Sequence, residues 1–502
     1  MSPGGSLVNA VILPVVLPML AAFLMQPLAH ISAFTARLLG PLVLAISIAM
    51  LVQPWFLPDT GPFTVTFAGF VPPLGIVFYV DRLALIFAVA VPLFTLLSWG
   101  WSTDTHGDEE KKAREDALML LLAASATGLS LSGDLFNVFV FYELMAVSSF
   151  GLVVQKGTGP ARIATLRYLL ISAFGSVLAL LGIAILYAQT GTLNLAQLGQ
   201  LAPAALHGPA GLTAFAFMLI GFGVKAELFP LNTWVPEVYA TAPARIAGLL
   251  AGLISKLAAL VVLRLLVVVY QDTSASQLLL LLGTLTLLVG DFSAWRSRDF
   301  PRMIGFSSIA QLGLVFIGFS IPGPWGVLAG LTVALHHLLL KTGMFMLATR
   351  WSGSLDRLVG CAKSTPVAAG LYLLFALSLV GIPPLPGFWA KLVTLAGLAE
   401  QGSAMHLVAL GAVLLGSVIK AHYLFRFALK LYSRSDHPAL RHGLMDLGTA
   451  ALIGIALIAA TIYVVPIGER LRAVAQQAAD RDTYIATVFP DHANTAAPEG
   501  PR

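Results

Sequence analysis

Fourteen apolar runs of about 20 residues each follow one another along this chain. They fall near 6–26, 34–54, 78–100, 116–132, 135–155, 164–188, 211–230, 244–270, 277–294, 303–321, 326–349, 366–389, 403–430 and 446–466. Wound as an α-helix at about 1.5 Å per residue, a run of that length crosses a hydrocarbon core roughly 30 Å thick. Only 11% of the 502 residues are charged, against roughly a quarter in soluble domains, so polar surface is too scarce to coat a water-soluble body. The alternating short strands of an outer-membrane barrel are absent. The chain is therefore predicted to be an all-α polytopic membrane protein with about 14 transmembrane helices. Its opening, MSPGGSLVNAVILPVVLPMLAAF, has no basic n-region and reads as the first span, not as a signal peptide.

The basic residues test the helix count. Arg37 falls in the first loop, Lys111, Lys112 and Arg114 in the third, Lys156, Arg162 and Arg167 in the fifth, and Arg245 in the seventh. Arg296, Arg298 and Arg302 follow in the ninth, Arg350, Arg357 and Lys363 in the eleventh, and Lys430, Arg434 and Arg441 in the thirteenth. The even loops are nearly bare, and a miscounted span would have broken the alternation. Cytoplasmic loops collect Lys and Arg, so the odd loops are expected to face the cytoplasm of a bacterial inner membrane, with both termini outside. The net charge of +5 then reflects topology and does not point to nucleic acid. The polar segment ERLRAVAQQAADRDTYIATVF after residue 468 is expected to form one amphipathic helix at the outer surface.

Several chemistries have no residues to support them. A single cysteine, Cys361, excludes a disulfide framework and a cysteine-ligated iron–sulfur cluster. There is no phosphate-binding P-loop, no dinucleotide fingerprint and no haem motif. No cofactor and no metal site are expected, and the chain does not read as an enzyme in its own right.

What remains is a set of charges where charge is costly. Lys225, Lys256, Arg264, Lys341, Lys391, Lys420 and Arg426 all fall inside predicted helices. A charge at the bilayer centre costs on the order of 2.5–3.5 kcal/mol even on the lenient insertion scale, so such residues usually face a bundle interior and serve ion movement. Arg264 and Arg426, near helix ends, fit a structural role, either reaching to an interface or locking two helices together. Lys225 lies mid-span in GFGVKAELFPL, between glycines and Pro230. Proline removes a backbone donor, so this helix is expected to be discontinuous. GIPPLPGFWAK (381–391) repeats the arrangement with three prolines beside Lys391. Two broken apolar segments in corresponding places of two halves point to a transporter's midplane site.

Other ionisable residues extend the series. Glu143 lies nine residues past Asp134, about 13 Å into the membrane at helical rise, and its natural partner is a buried lysine such as Lys225. Lys256 is near the middle of the eighth span. His337 and Lys341, four apart, share a helix face, while His336 points about 100° away. Two histidines with a lysine one turn on read as members of a proton relay. Lys420 with His422 is a weaker version of that pattern. Glu227, two residues past Lys225, has no account from the sequence.

Six segments now carry a family likeness. GDLFNVFVFYELMAVSSF (133–150), YAQTGTLNLAQL (187–198), KAELFPLNTWVPEVYATAPARIAGLLAGLISKLAALVVLR (225–264), RDFPRMIGFSSIAQLGLVFIG (298–318), HHLLLKTGMF (336–345) and GIPPLPGFWAK (381–391) occur in register. From about residue 75 to 430 the chain resembles the antiporter-like subunits shared by Mrp-type cation/proton antiporters, respiratory complex I and membrane-bound hydrogenases, and most of all the D subunit of Mrp antiporters. The resemblance implies two inverted five-helix repeats, with helices seven and twelve discontinuous. Residues 1–110 would hold helices one to three, 111–270 the first repeat, 271–432 the second, and 433–502 the last helix and tail. It also implies a proton relay through Glu143, Lys225, Lys256, His336, His337, Lys341 and Lys391. The implied function is proton translocation coupled to a monovalent cation, Na+ first, with other membrane subunits as partners in the lipid bilayer. Two alternatives stay open, a redox-driven pump of the complex I or hydrogenase kind and the proton-conducting partner of an inorganic-carbon uptake complex. Asn232 and Tyr239 stand where many family members have histidines, and Pro301 where many have a basic residue.

Overall fold

The structure, a computed structural model, describes residues 3–56, 61–67, 69–99, 109–206, 208–434, 440 and 443–490. Arg441 and the chain beyond residue 490 lie outside the described residues. The first helices are α1 (Pro3–Ile31) and α2 (Ala33–Val52), separated by Ser32, whose side chain caps α2. Proline recurs inside both helices, which membrane helices tolerate better than soluble ones. A feature the apolar runs did not announce comes next. Strands β1 (Phe63–Thr66) and β2 (Val77–Val80) form an antiparallel hairpin in the register Phe63↔Val80.

The first half continues with α3 (Arg82–Leu97), α4 (Glu109–Leu131), α5 (Leu135–Val154), α6 (Gly159–Thr190), α7 (Leu195–Ala205) and α8 (Pro209–Gly223). After an irregular stretch come α9 (Val235–Thr241), α10 (Ala244–Leu249) and α11 (Ser255–Arg264), the last two joined through π-helical turns at Leu250–Ile254 and continued by a second at Leu265–Val269. The second half is built from α12 (Thr273–Arg296), α13 (Phe300–Phe319), α14 (Gly323–Ala348), α15 (Pro366–Val380), α16 (Pro386–Gln401) and α17 (Ala404–Tyr432). The described chain ends with α18 (Leu444–Ile462), α19 (Val464–Ala479) and α20 (Arg481–Val488).

Each of the fourteen apolar runs coincides with a helix. Among the described residues, ten helical stretches are long and apolar enough to cross a membrane alone. The other four runs are α4, whose first turns are charged, and the shorter apolar helices α3, α8 and α15. Both broken helices occur where proline and glycine placed them. α8 stops at Gly223 and helix resumes only at Val235. α15 stops at Gly381, which takes the left-handed conformation at φ 89°, and α16 restarts with Pro386 in its first turn, where a missing N–H costs nothing.

Burial separates core from periphery. In the most apolar windows of the α10–α11 stretch, α13 and α14, 94%, 89% and 83% of residues are buried, against 28% in α17 and 22% in α18. The interior therefore consists of three helices that are apolar on every side and also bear Lys256, Lys341 and both histidines. Leu166, Leu170, Phe174 and Leu181 on α6 stay exposed, as a lipid-facing surface requires. One expectation is corrected at the C-terminal end. The polar segment forms two helices, because Asp480 leaves helical geometry and caps α20 through Thr483 N at 3.0 Å. Hydrogen bonds from Thr483 hold the Asp480 carboxyl below its ordinary range.

Candidate functional site: a buried line of amines

The break after α8 puts Lys225 into an aromatic cage. Its side chain is 1% exposed and its Nζ donates to Ser172 Oγ on α6 at 3.1 Å. The rings of Tyr142, Phe150 and Tyr168 lie 4.9, 5.3 and 5.2 Å from the same nitrogen. Ring faces stabilise a cation without fixing it in a covalent or ionic partnership. Tyr168 is stacked on Trp234 at 4.0 Å, and Trp234 Nε1 donates to the Val224 carbonyl at 3.1 Å, so the far side of the break supports the cage. Glu143 does not touch Lys225. Its carboxylate accepts from Ser176 Oγ on α6, and no ion pair within 4 Å joins it to Lys225 among the described residues. Its charge still acts on Lys225 through space.

Glu227 is the residue the sequence left unexplained. A regular helix would have pointed it about 200° from Lys225. Instead it has φ 58° and is the one described non-glycine residue in the left-handed region, a conformation costing roughly 1–2 kcal/mol for an L-residue. Its fully buried carboxylate accepts from Tyr239 Oη on α9 at 2.7 Å and from Ser308 Oγ on α13 at 3.1 Å, both at Oε1. Its carbonyl accepts from Asn232 Nδ2 at 3.2 Å. Oε2 is buried without a hydrogen-bond partner. Asn232 and Tyr239 thus both serve this acid.

Lys256 Nζ donates to the Ala251 carbonyl and to Ser255 Oγ, the latter at 3.1 Å. Ala251 lies in the π-helical turn just before it, a feature frequent at functional sites, and its carbonyl also accepts from Ser255 Oγ at 2.9 Å. On α14, Lys341 Nζ donates to the Ile304 carbonyl at 2.9 Å, and His336 Nε2 meets Ser378 Oγ at 2.8 Å. His337 is fully buried with both ring nitrogens unpartnered. It shares a face with Lys341, as predicted, without a hydrogen bond between them. At the second break Lys391 Nζ donates to the Val380 carbonyl at 2.6 Å, the last residue of α15, and to Ser417 Oγ on α17 at 2.8 Å.

A pattern separates the buried cations. Lys225, Lys256, Lys341 and Lys391 bind neutral hydroxyl or carbonyl oxygens, and none of them has a carboxylate within 4 Å among the described residues. Arg264 is the opposite case. It pairs with Asp81 at 2.5 Å between the rings of Tyr79 and Tyr484, the locking role expected of it. Arg426 donates to the Ser297 carbonyl at 3.1 Å. Lys420 pairs with Asp291 of α12 at 3.7 Å, and Tyr423 Oη donates to Asp291 at 3.2 Å. Asp291 was missed because it lies near the end of an apolar run, where an acid reads as a boundary. Among the described residues no three His, Cys, Asp or Glu side chains converge to hold a metal ion.

Fold and site together define a multi-pass helical membrane protein with ionisable side chains threaded through its interior between two broken helices. The chain belongs to the NADH:quinone oxidoreductase/Mrp antiporter transmembrane family, whose model matches residues 132–419. It is 30% identical over 480 residues to the N subunit of the NADH-quinone oxidoreductase of Desulforudis audaxviator, covering 90% of this chain and 94% of that one. It is 29% identical over 499 residues to the D subunit of the Na(+)/H(+) antiporter of Alkalihalophilus pseudofirmus, covering 96% and 99%. Among solved structures it is similar to a chain of the membrane-bound sulfane sulfur reductase, an archaeal respiratory membrane complex, with TM-score 0.88, 27% identity and coverage of 96% and 100%.

Proposed function

We propose that this chain is the proton-translocating membrane subunit of a multi-subunit monovalent cation/proton antiporter, with Na+ as the coupled ion. The observation that supports it most is the partnering of the four lysines. An ammonium bound only to neutral oxygens can lose its proton without stranding a buried carboxylate, whereas breaking a tight ion pair leaves an uncompensated charge that costs several kcal/mol. Protons would step along Glu143, Lys225, Lys256, the His336/His337/Lys341 group and Lys391, with the Asp291–Lys420 pair beside the last. The two broken helices, one in residues 111–270 and one in 271–432, would be the points where backbone and lysine move together. The end-to-end match to an antiporter D subunit favours the antiporter assignment. The basic odd loops argue for a bacterial cytoplasmic membrane with both termini outside, where the chain would sit among other membrane subunits.

A second reading, the pumping arm of a redox enzyme, is favoured by the likeness to the N subunit of an NADH-quinone oxidoreductase and to an archaeal respiratory complex. Cation/proton exchange in everted vesicles carrying the whole complex separates the two. The antiporter reading expects exchange in the wild type and its loss in Lys225→Ala with assembly intact. Wild-type vesicles that exchange no cation would move the redox reading ahead, and a Lys225→Ala complex that exchanges normally would reduce Lys225 to a structural charge.

A further inference from the structure

A cavity of about 460 Å³, lined by charged and apolar side chains together, opens among the odd loops. Lys112, Glu115, Lys156, Arg245 and Arg350 line it, and so does Tyr239. Tyr239 is itself 1% exposed, so it closes the inner end of the cavity. Its hydroxyl donates to Glu227 at 2.7 Å. Glu227 in turn reaches across to Ser308 of α13 in the second half, and both Lys256 of α11 and Lys341 of α14 act on it through space. One carboxylate thus stands one hydrogen bond from the cavity's inner end and within the fields of a lysine from each half.

We infer that Tyr239 and Glu227 form a proton entry from the odd-loop side, with Tyr239 passing protons from the cavity to Glu227 and Glu227 delivering them to Lys256 or Lys341. The inference rests on the proton-translocation reading above. In the first step an acid in the cavity protonates the tyrosine oxygen while the Tyr239 O–H proton moves to Oε1. One O–H bond breaks as another forms, and the phenol is unchanged. In the second step the carboxylic O–H of Glu227 breaks, an N–H bond forms on a neutral lysine amine, and the carboxylate is restored. Rotation of the protonated carboxyl carries its O–H from Tyr239 to the side where Oε2 has no hydrogen-bond partner, and delivery starts from there. Glu227 reaches these partners from a left-handed position inside the break after α8, which gives that break a purpose beyond placing its lysine.

The titratable groups around Glu227 are Tyr239 on α9, Tyr168 on α6, Lys256 on α11 and Lys341 on α14, with His337 facing the same two lysines. Lys225 lies two residues away on its own segment. Losing the Glu227 charge removes a negative neighbour from Lys256 and Lys341.

The test uses the complete complex in everted vesicles, with co-purification of its subunits as the assembly control. Variants are Glu227→Gln, Tyr239→Phe and the two combined, beside Lys225→Ala. Glu227→Gln should slow exchange at least ten-fold and change the remaining pH profile. Tyr239→Phe keeps the ring against Trp234 and Phe345 and should slow exchange about ten-fold. The double variant should be no slower than Glu227→Gln alone, because both changes block one path. Losses that simply multiply would overturn the shared path. So would single variants with wild-type rate and pH profile while Lys225→Ala is inactive. If Glu227→Gln fails to assemble, Tyr239→Phe decides alone. A Lys225→Ala complex that exchanges normally sinks the translocation reading instead, and this inference with it.

Discussion

One turn of α6 separates Ser172, which accepts from Lys225 at 3.1 Å, from Ser176, which donates to Glu143. The half-buried acid and the buried amine thus meet the same helix through two hydroxyls instead of meeting each other. Hydroxyls can donate or accept, so each can follow a change of charge at its partner. Ser172→Ala would leave the Lys225 ammonium with ring faces and no oxygen. A hydrogen bond to a charged group is worth about 1.5–3 kcal/mol, so exchange should fall roughly ten- to hundred-fold, since each 1.4 kcal/mol is a factor of ten. Vesicle exchange at matched expression reads this directly. Unimpaired exchange in Ser172→Ala would mean that the aromatic cage alone holds the charge.

Asp291 and Lys420 should behave as a unit. Their side chains are 0% and 3% exposed, so Asp291→Asn leaves a cation buried without a countercharge. Removing one partner of a buried pair costs about 3–5 kcal/mol. The expected result is a lower melting temperature of the purified complex, with most of the loss recovered in Asp291→Asn/Lys420→Met, where neither charge remains. A double variant as unstable as the two single variants added together would show that the pair does not interact energetically.

Much of this could be seen in the sequence, for reasons that differ by residue. Helix number followed from apolar length, and both breaks from Gly and Pro around Lys225 and Lys391, because local chemistry alone decides those features. The lysines were visible as charges in apolar runs. Their partners were not. Ser172 lies 53 positions from Lys225 and Ser308 lies 81 from Glu227, and such pairings are set by helix packing that no local pattern encodes. Glu227 escaped for a second reason: it takes a left-handed position inside the break after α8, where helical periodicity says nothing about what its carboxylate meets. Asp480 interrupted the terminal helix in the same way, a capping residue hidden inside an otherwise periodic segment.

Gly221 permits the contact on which the Lys225 cage depends. A Cβ there would lie 2.5 Å from the Gly175 carbonyl oxygen and 2.6 Å from the Ala179 amide nitrogen, both backbone atoms of α6 that cannot swing aside. The Gly221 carbonyl also accepts from Tyr142 Oη at 3.0 Å, so a shift of α8 would carry a wall of the cage with it. Overpacking of this kind typically costs about 1–3 kcal/mol. Gly221→Ala should therefore weaken the complex and slow exchange more than its stability loss explains. Wild-type melting and exchange together would mean that α6 and α8 separate freely and that the cage does not depend on their contact.

Arg264 supplies the contrast that tests the lysine assignments. Its guanidinium keeps its proton in proteins, and Asp81 holds it at 2.5 Å while also capping α3 through Ala84 N at 2.8 Å. Tyr484 of α20 covers the pair and lies 3.8 Å, centroid to centroid, from Tyr79, so the same cluster ties the terminal helix and the hairpin to α11. A group that cannot change charge can anchor helices but cannot carry protons. Arg264→Leu should destabilise the complex by about 3–5 kcal/mol, the cost of stranding a buried carboxylate. Exchange per assembled complex should keep its wild-type rate and pH profile. Melting of the purified complex measures the first effect, and exchange normalised to subunit content measures the second. Normal stability with lost exchange would put Arg264 on the proton path and undo the division between paired cations that hold the fold and lysines bound to neutral oxygens that move charge.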